Sequence, residues 1–403
     1  MTIEDIKADP HVIDFLNTRS LRESTTKEYL LRINAYCNYL DKTPTEIIEE
    51  AENEEDNNTR MKKRNIKRYL TNFLMFLKDS NKSENYISAM MSTIITFYHD
   101  FDIETPKIKI KTNTNSKLIT TSEIVTKEHI LKLLEHCNLK YKAVILLMSS
   151  SGMGQSEILN LTYRNFINAI SDYYKPTDNE LYDVYHISQK LEENKDELIG
   201  TWQIQRYKTS YGYITFSSPE SIQMILHYLT DRILQNRPIK SLDDWLFESK
   251  GKQISTSTLV SYFKGLNDRC EFGYVGKHRF FTSHKLRKYF ASTLHKNKIP
   301  ELTTHWLLGH RVDPVTEAYF KADINSLKEQ YKTVVEDLSI ENVILREVTT
   351  EGYDKLLEEL RKEREIRGKE NEVKDNKIAQ MEKKQTIMDK MLKELLEKQL
   401  ENK

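Results

Sequence analysis

Apolar side chains recur every three to four residues through the first quarter of the chain. Tyr29, Ile33, Tyr36 and Leu40 form one stripe, Ile66, Tyr69, Phe73, Phe76 and Leu77 a second, and Ile87, Met90, Ile94 and Tyr98 a third. That period is helical. Residues 1–102 therefore read as all helix, with Ser24 or Thr25 as the N-cap of the first long segment. Residues 103–124 lose the period and fill with Thr, Asn and Lys, the composition of a linker.

From residue 125 to 338 the pattern describes a larger globular domain. Ile130, Leu131, Leu133 and Leu134 begin a helix, and the nearly continuous apolar run Tyr141 to Ser150 predicts a buried one. Ser156 and Glu157 open another helix, which runs through Leu161. The period then drops to two, predicting strands at Leu181–Ile187, Thr201–Arg206 and Tyr213–Phe216, the last two joined by a turn over 207–212. Ser218-Pro-Glu-Ser starts a helix with Pro in its first turn, and helical segments fill most of the remainder. The fold class is mainly α with a small antiparallel β-sheet (α+β).

Residues 339–403 are a charged tail. From 350 on, Glu, Lys, Gln and Asn dominate, with Ile366 and Val373, then Met381, Met388 and Leu395, spaced by seven. The spacing suits a helix or weak coiled coil that serves as a handle for a protein partner, although Lys384 and Lys398 fall on would-be seam positions. A freely solvated charged tail fits the same residues.

Composition narrows the function. The 403 residues are 38% hydrophobic and 30% charged, with 11 Gly and 8 Pro, which favours a helix-rich soluble protein of two or three domains. Formal net charge is zero, which weakens a nucleic-acid reading. The sum hides a juxtaposition, however: the acidic run 49–56 directly precedes a basic one containing Arg60, Lys62, Lys63, Arg64, Lys67 and Arg68. Such a run is either a solvated helix face or a DNA contact. Cys37, Cys137 and Cys270 match no metal-ligand spacing. No signal peptide or membrane span is visible, so a cytoplasmic, nucleoid-associated location is expected and no membrane partner.

The chemistry concentrates near residues 282–320. His284 and Arg287 lie one helical turn apart, Leu307-Leu-Gly-His310 comes next, and Tyr319 stands nine residues beyond that histidine. A phenol can attack a phosphodiester without metal while cationic donors hold the phosphate oxygens. No Gly-rich phosphate loop or Mg²⁺-binding acidic cluster is apparent, so no cofactor and no metal are implied. Taken singly, His284 reads equally as a helix-capping core residue, Arg287 as a buried ion-pair partner and Tyr319 as one packing phenol among 22 tyrosines.

His-x-x-Arg at 284–287, Leu-Gly-His at 308–310 and the tyrosine at 319, in that order and spacing, resemble the tyrosine recombinase (phage-type integrase) family. The wording of residues 309–322 is similar to its archaeal and archaeal-virus branch. The resemblance spans roughly residues 10–340. It implies a helical core-binding domain (1–102), a linker (103–124) and a catalytic domain (125–338), clamped on double-stranded DNA as a homo-tetramer on paired sites. It also implies that the segment after Tyr319, about Asp323–Leu338, docks on a neighbouring subunit.

Residue by residue, the resemblance makes Tyr319 the nucleophile of a 3′-phosphotyrosyl intermediate, and Arg287 and His310 donors to the phosphate oxygens. His284 accepts or relays the tyrosine proton, and Lys208, in the turn between two strands, protonates the leaving oxygen. DNA contacts fall to Arg60, Lys62, Lys63, Lys67 and Arg68. One part is missing. The family keeps an arginine in Gly-x-Arg-x-Ser-Glu, whereas this chain has Gly152-Met-Gly-Gln-Ser-Glu157, placing Gly154 at that position and Gln155 beside it.

Three readings are open: a slow recombinase, one whose clamp is completed by Arg164 or Arg206, or an inactive relative that retains DNA binding. Alternatives of another class are a coiled-coil interaction protein acting through its tail, and a DNA-relaxing enzyme using the same chemistry in a monomer.

Overall fold

The computed structural model describes residues 1–80, 82–108, 124–206, 211–276 and 278–340. The chain divides into two compact units, Met1–Ile119 and Thr120–Lys403. The linker sequence from 109 to 123, Lys208 with its turn, and the proposed helical tail from 341 onward fall outside the described residues.

The first unit consists of helices α1 (Ile3–Ala8), α2 (Pro10–Asn17), α3 (Glu23–Leu40), α4 (Pro44–Asp56), α5 (Asn65–Asp79) and α6 (Glu84–His99), with a 3-10 turn at Met61–Lys63. Its core gathers most of the three stripes, with Ile33 and Tyr36 of α3, Ile66, Phe73 and Leu77 of α5, and Ile87, Met90, Ile94 and Tyr98 of α6 all buried, whereas Phe76 is exposed. The Tyr36 and Tyr98 hydroxyls share a hydrogen bond of 3.2 Å inside that core. Burial pushes both phenols above their usual range.

Two expectations about helix starts need correction. Helix α3 begins at Glu23, with Arg22 as an N-cap lacking a side-chain bond, rather than at Ser24 or Thr25. Thr26 instead bonds back to the Arg22 carbonyl (3.2 Å), and Glu23 places an acidic charge in the first turn, where the helix dipole favours it. The basic run is likewise not all helical. Arg60, Lys62 and Lys63 precede α5, whose first amide, Asn65 N–H, donates to both Glu54 carboxylate oxygens at 2.9 Å. The acidic run thus caps the basic helix. Arg64 is drawn into an ion pair with Glu55, while Arg60, Lys62, Lys63, Lys67 and Arg68 stay exposed.

The second unit is built around a central helix. It begins with α7 (Lys127–Glu135), α8 (Leu139–Ser151), α9 (Gln155–Leu159), α10 (Tyr163–Ala169) and α11 (Val184–Glu192). Strands β1 (Gly200–Arg206) and β2 (Tyr211–Ser217) come next, then α12 (Pro219–Leu234), β3 (Glu248–Ser249), β4 (Lys252–Gln253), α13 (Thr256–Arg269), β5 (Tyr274–Val275) and β6 (His278–Arg279). The last elements are α14 (Ser283–Lys296), α15 (Glu301–Leu307), α16 (Pro314–Ala322), α17 (Ile324–Lys332) and α18 (Val335–Leu338).

Helix α8 is buried almost all round, as its unbroken apolar run requires. It packs against α12, α14, β2 and α18. The strands form three separate antiparallel pairs, β1–β2, β3–β4 and β5–β6, within a mostly helical fold.

The strand predicted at Leu181–Ile187 is instead the turn leading into α11. Asp183 caps that helix by accepting from the His186 N–H (2.9 Å), and Val184, Ile187 and Leu191 are its buried face. The alternation there is a single turn of helical spacing, too short to show its period. Strand β2 also begins earlier than predicted, with Tyr211 pairing with Arg206 and Gly212 with Gln205.

Within the single chain, the segment after Tyr319 packs on its own domain. Leu327, Tyr331 and Leu338 are buried in the core of the second unit. Tyr331 donates to the Ser150 carbonyl (2.7 Å), Asn297 to Asp337 (2.6 Å), and the Ile340 N–H to Glu220 (2.8 Å). A helix C-terminus leaves its last carbonyls without helical partners. Tyr331, with Thr215 on the Ser151 carbonyl (2.7 Å), satisfies those of α8.

Candidate active site

The site grows from one turn. Helix α15 ends at Leu307, and Gly309 leaves it with φ +65, a left-handed conformation that suits a residue without Cβ. A Cβ there would stand 2.7 Å from the Tyr213 ring, so this turn presses backbone directly against β2. The turn presents two successive carbonyls inward, and each takes a guanidinium.

Arg287, on the second turn of α14, is 9% exposed. Its Nη2 donates to the Leu308 carbonyl and its Nη1 to the Gly152 carbonyl (2.7 Å). Gly152 caps α8 with φ +67, bringing the end of that helix onto α14. Arg206 closes β1 and follows the inward parity of Trp202 and Ile204. Its Nη1 donates to the Gly309 carbonyl (2.9 Å), and its Nε lies 3.5 Å from the Glu157 carboxylate.

His310 is the next residue, half-buried, with its ring edge-on to His305 at 5.3 Å. Its pKa is lowered first by burial, then by the charges of Arg287 and Arg206. The His284 pKa is lowered by burial and by Lys288 and Arg287. Both imidazoles thus favour the neutral form, able to donate through one nitrogen and accept through the other. Tyr213, buried beside Arg287, has its phenol pushed above the usual range by burial.

The structure therefore brings Arg287 and His310 together, with His284 one turn away on α14. Tyr319 is not part of that cluster. It lies on α16, which buries none of its residues, and its side chain is 70% exposed. Among the described residues its hydroxyl makes no hydrogen bond. Asp313 caps α16 by accepting from Val315 and Thr316 (3.1 and 3.0 Å), and Phe320 rests on Trp306 at 5.6 Å between ring centres.

At the missing-arginine position, Gly154 has an ordinary extended backbone, and the Glu157 carboxylate leans to 2.5 Å from where its Cβ would be. Gln155 turns away and donates to Ser283 (2.6 Å). Arg164 is ion-paired with Asp243 (3.0 Å) and does not enter the cluster. Of the two arginines considered from sequence, only Arg206 does. Tyr213 and Glu157 were not anticipated. Tyr213 opens the strand expected at 213–216, and Glu157 completes the Gly-x-x-x-Ser-Glu wording, so both left a trace in the sequence.

A family resemblance resting on these residues has independent support. Residues 193–326, about a third of the chain, match the phage integrase family. The matched stretch contains Arg206, His284, Arg287, His310 and Tyr319. No curated protein matches the chain.

Several solved structures are similar. One is XerA recombinase, at 18% identity and TM-score 0.33, covering 82% of this chain and 98% of that one. Another is a lambda integrase dimer bound to a core site, at 15% identity and TM-score 0.47, covering 76% and 91%. A third is the Tn1549 transposon integrase in complex with transposon right end DNA, at 13% identity and TM-score 0.47, covering 82% and 99%.

Proposed function

We propose that this protein carries out site-specific DNA recombination or integration, cutting and rejoining strands through a covalent 3′-phosphotyrosyl intermediate on Tyr319. The carrying observation is the convergence of Arg287, Arg206 and His310 on the turn Leu308–Gly309, within a phage integrase domain. A cationic, partly desolvated cluster suits the charge that builds on a phosphoryl group in transfer.

In this reading Tyr319 attacks phosphorus. Its oxygen forms the new P–O bond, the bond to the 5′ oxygen breaks, and the leaving strand departs as a 5′-hydroxyl. His284 takes the phenol proton, and Arg287 and His310 donate to the non-bridging oxygens. Lys208 supplies the proton to the leaving oxygen. The phosphodiester energy is kept in the tyrosyl link, so rejoining needs no nucleotide. Exposure of Tyr319 on a helix with no buried face is consistent with a nucleophile positioned by bound DNA.

Arg60, Lys62, Lys63, Lys67 and Arg68 contact the duplex backbone in the same reading. The active assembly is a tetramer on paired DNA sites, located with the nucleoid in the cytoplasm. Within the family the wording of 309–322 favours the archaeal and archaeal-virus branch, and residues 339–403 act as a helical, coiled-coil handle for a protein partner.

The test uses the full chain and a pool of randomised duplexes, nicked so that cleavage releases a short strand. Wild-type protein should form protein–DNA adducts that survive denaturation, and Tyr319→Phe should form none. Equal yields from both proteins, or none from wild type, would defeat the reading.

A further inference from the structure

We infer that Arg206 is a catalytic residue that supplies the second guanidinium of the phosphate clamp, in place of the arginine that Gly154 lacks. The inference rests on the recombinase reading above and adds a residue to it.

Three observations converge. First, Arg206 and Arg287 are moored to the adjacent carbonyls of Gly309 and Leu308, so the two guanidiniums share one turn. Second, the atoms nearest a side chain at Gly154 are those of the Glu157 carboxylate, and that same carboxylate reaches the Nε of Arg206 at 3.5 Å. A guanidinium entering from β1 therefore lies beside the group that would face one entering from position 154. Third, the charges of Arg206 and Arg287 both act on His310, so the two arginines and the imidazole bear on one another.

Arg206 also has donors to spare. Its Nη1 is engaged with a carbonyl, while among the described residues its Nη2 has no acceptor. A guanidinium presents a planar fork that matches two phosphate oxygens. The arginine's origin differs, since it comes from the end of a strand instead of the start of a helix. Strand parity explains why a cation is available there: positions 202, 204 and 206 face the same way, and the last of them reaches past the edge of the core.

The experiment takes the duplex that wild-type protein selects by adduct formation and maps its cleaved phosphate. Arg206→Ala should lower the rate of adduct formation on this duplex by about 10²–10³-fold, the usual cost of one transition-state donor. Its non-covalent affinity for the same duplex should stay within about threefold, since phosphate contacts elsewhere dominate binding. The same duplex is then made with a neutral methylphosphonate at the cleaved position. Removing a phosphate charge removes the demand for one cation, so Arg206→Ala should cleave the methylphosphonate faster than the phosphodiester.

Arg206→Lys keeps a donor for the Gly309 carbonyl and is read on the same pair of substrates should the alanine variant not fold. A near-wild-type rate of Arg206→Ala on the phosphodiester would overturn the assignment of Arg206 alone. So would a loss that the methylphosphonate does not relieve, which marks a purely structural tie to Gly309. Absence of any Tyr319-dependent adduct from wild type would overturn both this inference and the reading beneath it.

Discussion

Arg287 and Arg206 donate to the carbonyls of consecutive residues, Leu308 and Gly309, although they arrive from a helix and a strand some eighty residues apart in sequence. Two like charges so close would repel in an apolar interior. Here the carbonyl dipoles of a single turn, the Glu157 carboxylate and the Tyr213 ring share their surroundings. The turn holds the two cations beside one another, and for a phosphate bound there such preorganisation would be where electrostatic stabilisation gains most.

That arrangement depends on Gly309. Gly309→Ala would put a side chain at φ +65 and a Cβ 2.7 Å from the Tyr213 ring. The left-handed backbone costs on the order of 1 kcal/mol and the overpacking about 1–3 more. The expected result is a stability loss of roughly 2–4 kcal/mol, seen as a lower thermal midpoint. Adduct formation should fall by more than the folded fraction explains, because both guanidiniums move with the turn. Gly212→Ala is the control. A Cβ at Gly212 meets nothing within 4 Å, and it should be nearly silent. Calorimetry and adduct assays on the two variants check this.

The neutral imidazoles give a pH signature. His284, His310 and His129 all have pKa values lowered by burial from the ordinary 6.5, helped by nearby cations. The unfolded chain therefore takes up protons at a pH where the folded chain does not. Stability should fall as pH drops through the ordinary imidazole value, and this contribution should level off below the depressed folded values. Denaturant midpoints between about pH 8 and pH 5 would show the slope, and His310→Asn should flatten it. Because a bound phosphate would favour the protonated ring, the His310 titration followed by NMR should shift upward when DNA is added.

Much of this site is legible in the sequence where residues are local. His284 and Arg287 are one turn apart on a helix whose period is visible, and Leu308-Gly-His310 declares a tight turn. What the sequence leaves open is long-range. Arg164 and Arg206 are equally reasonable replacements for the absent arginine until β1 ends at Arg206 and the 241–245 loop pairs Arg164 with Asp243. The docking of Asp323–Leu338 is long-range too. An amphipathic segment ending in Tyr331 fits its own core or a neighbour's equally well by pattern, and the Ser150 carbonyl that Tyr331 reaches within the chain cannot be read from it. The strand expected at 181–187 fails for a local reason, since Asp183 is an N-cap whose helix shows just three buried positions.

The basic residues of the first unit make a quantitative prediction for DNA binding. Arg60, Lys62, Lys63, Lys67 and Arg68 are exposed, whereas Arg64 is bound to Glu55 and the Thr59 carbonyl. Each exposed cation that touches a phosphate contributes about 0.9 to the slope of log affinity against log salt. Alanine at Lys62 or Lys63 should therefore weaken binding more at low salt than at high, and reduce that slope by roughly one unit for each phosphate no longer neutralised. Arg64→Ala should leave the slope unchanged and lower the stability of the first unit instead. Fluorescence anisotropy over a salt series separates the two outcomes.

Tyr331 tests whether the segment after Tyr319 belongs to its own domain. Its ring is fully buried and its hydroxyl serves a carbonyl at the C-terminus of α8. Tyr331→Phe keeps the packing and removes the bond, leaving the Ser150 carbonyl buried without it, at a cost of about 1–3 kcal/mol. Tyr331→Ala adds a cavity and should cost roughly 3–5 kcal/mol. Docking in cis makes both losses independent of protein concentration, whereas docking on a second copy would make the midpoint rise with concentration by mass action. Denaturation of both variants over a hundredfold concentration range reads the difference. A concentration-dependent midpoint would mean that α17 and α18 exchange between subunits in solution, carrying α16 and Tyr319 with them.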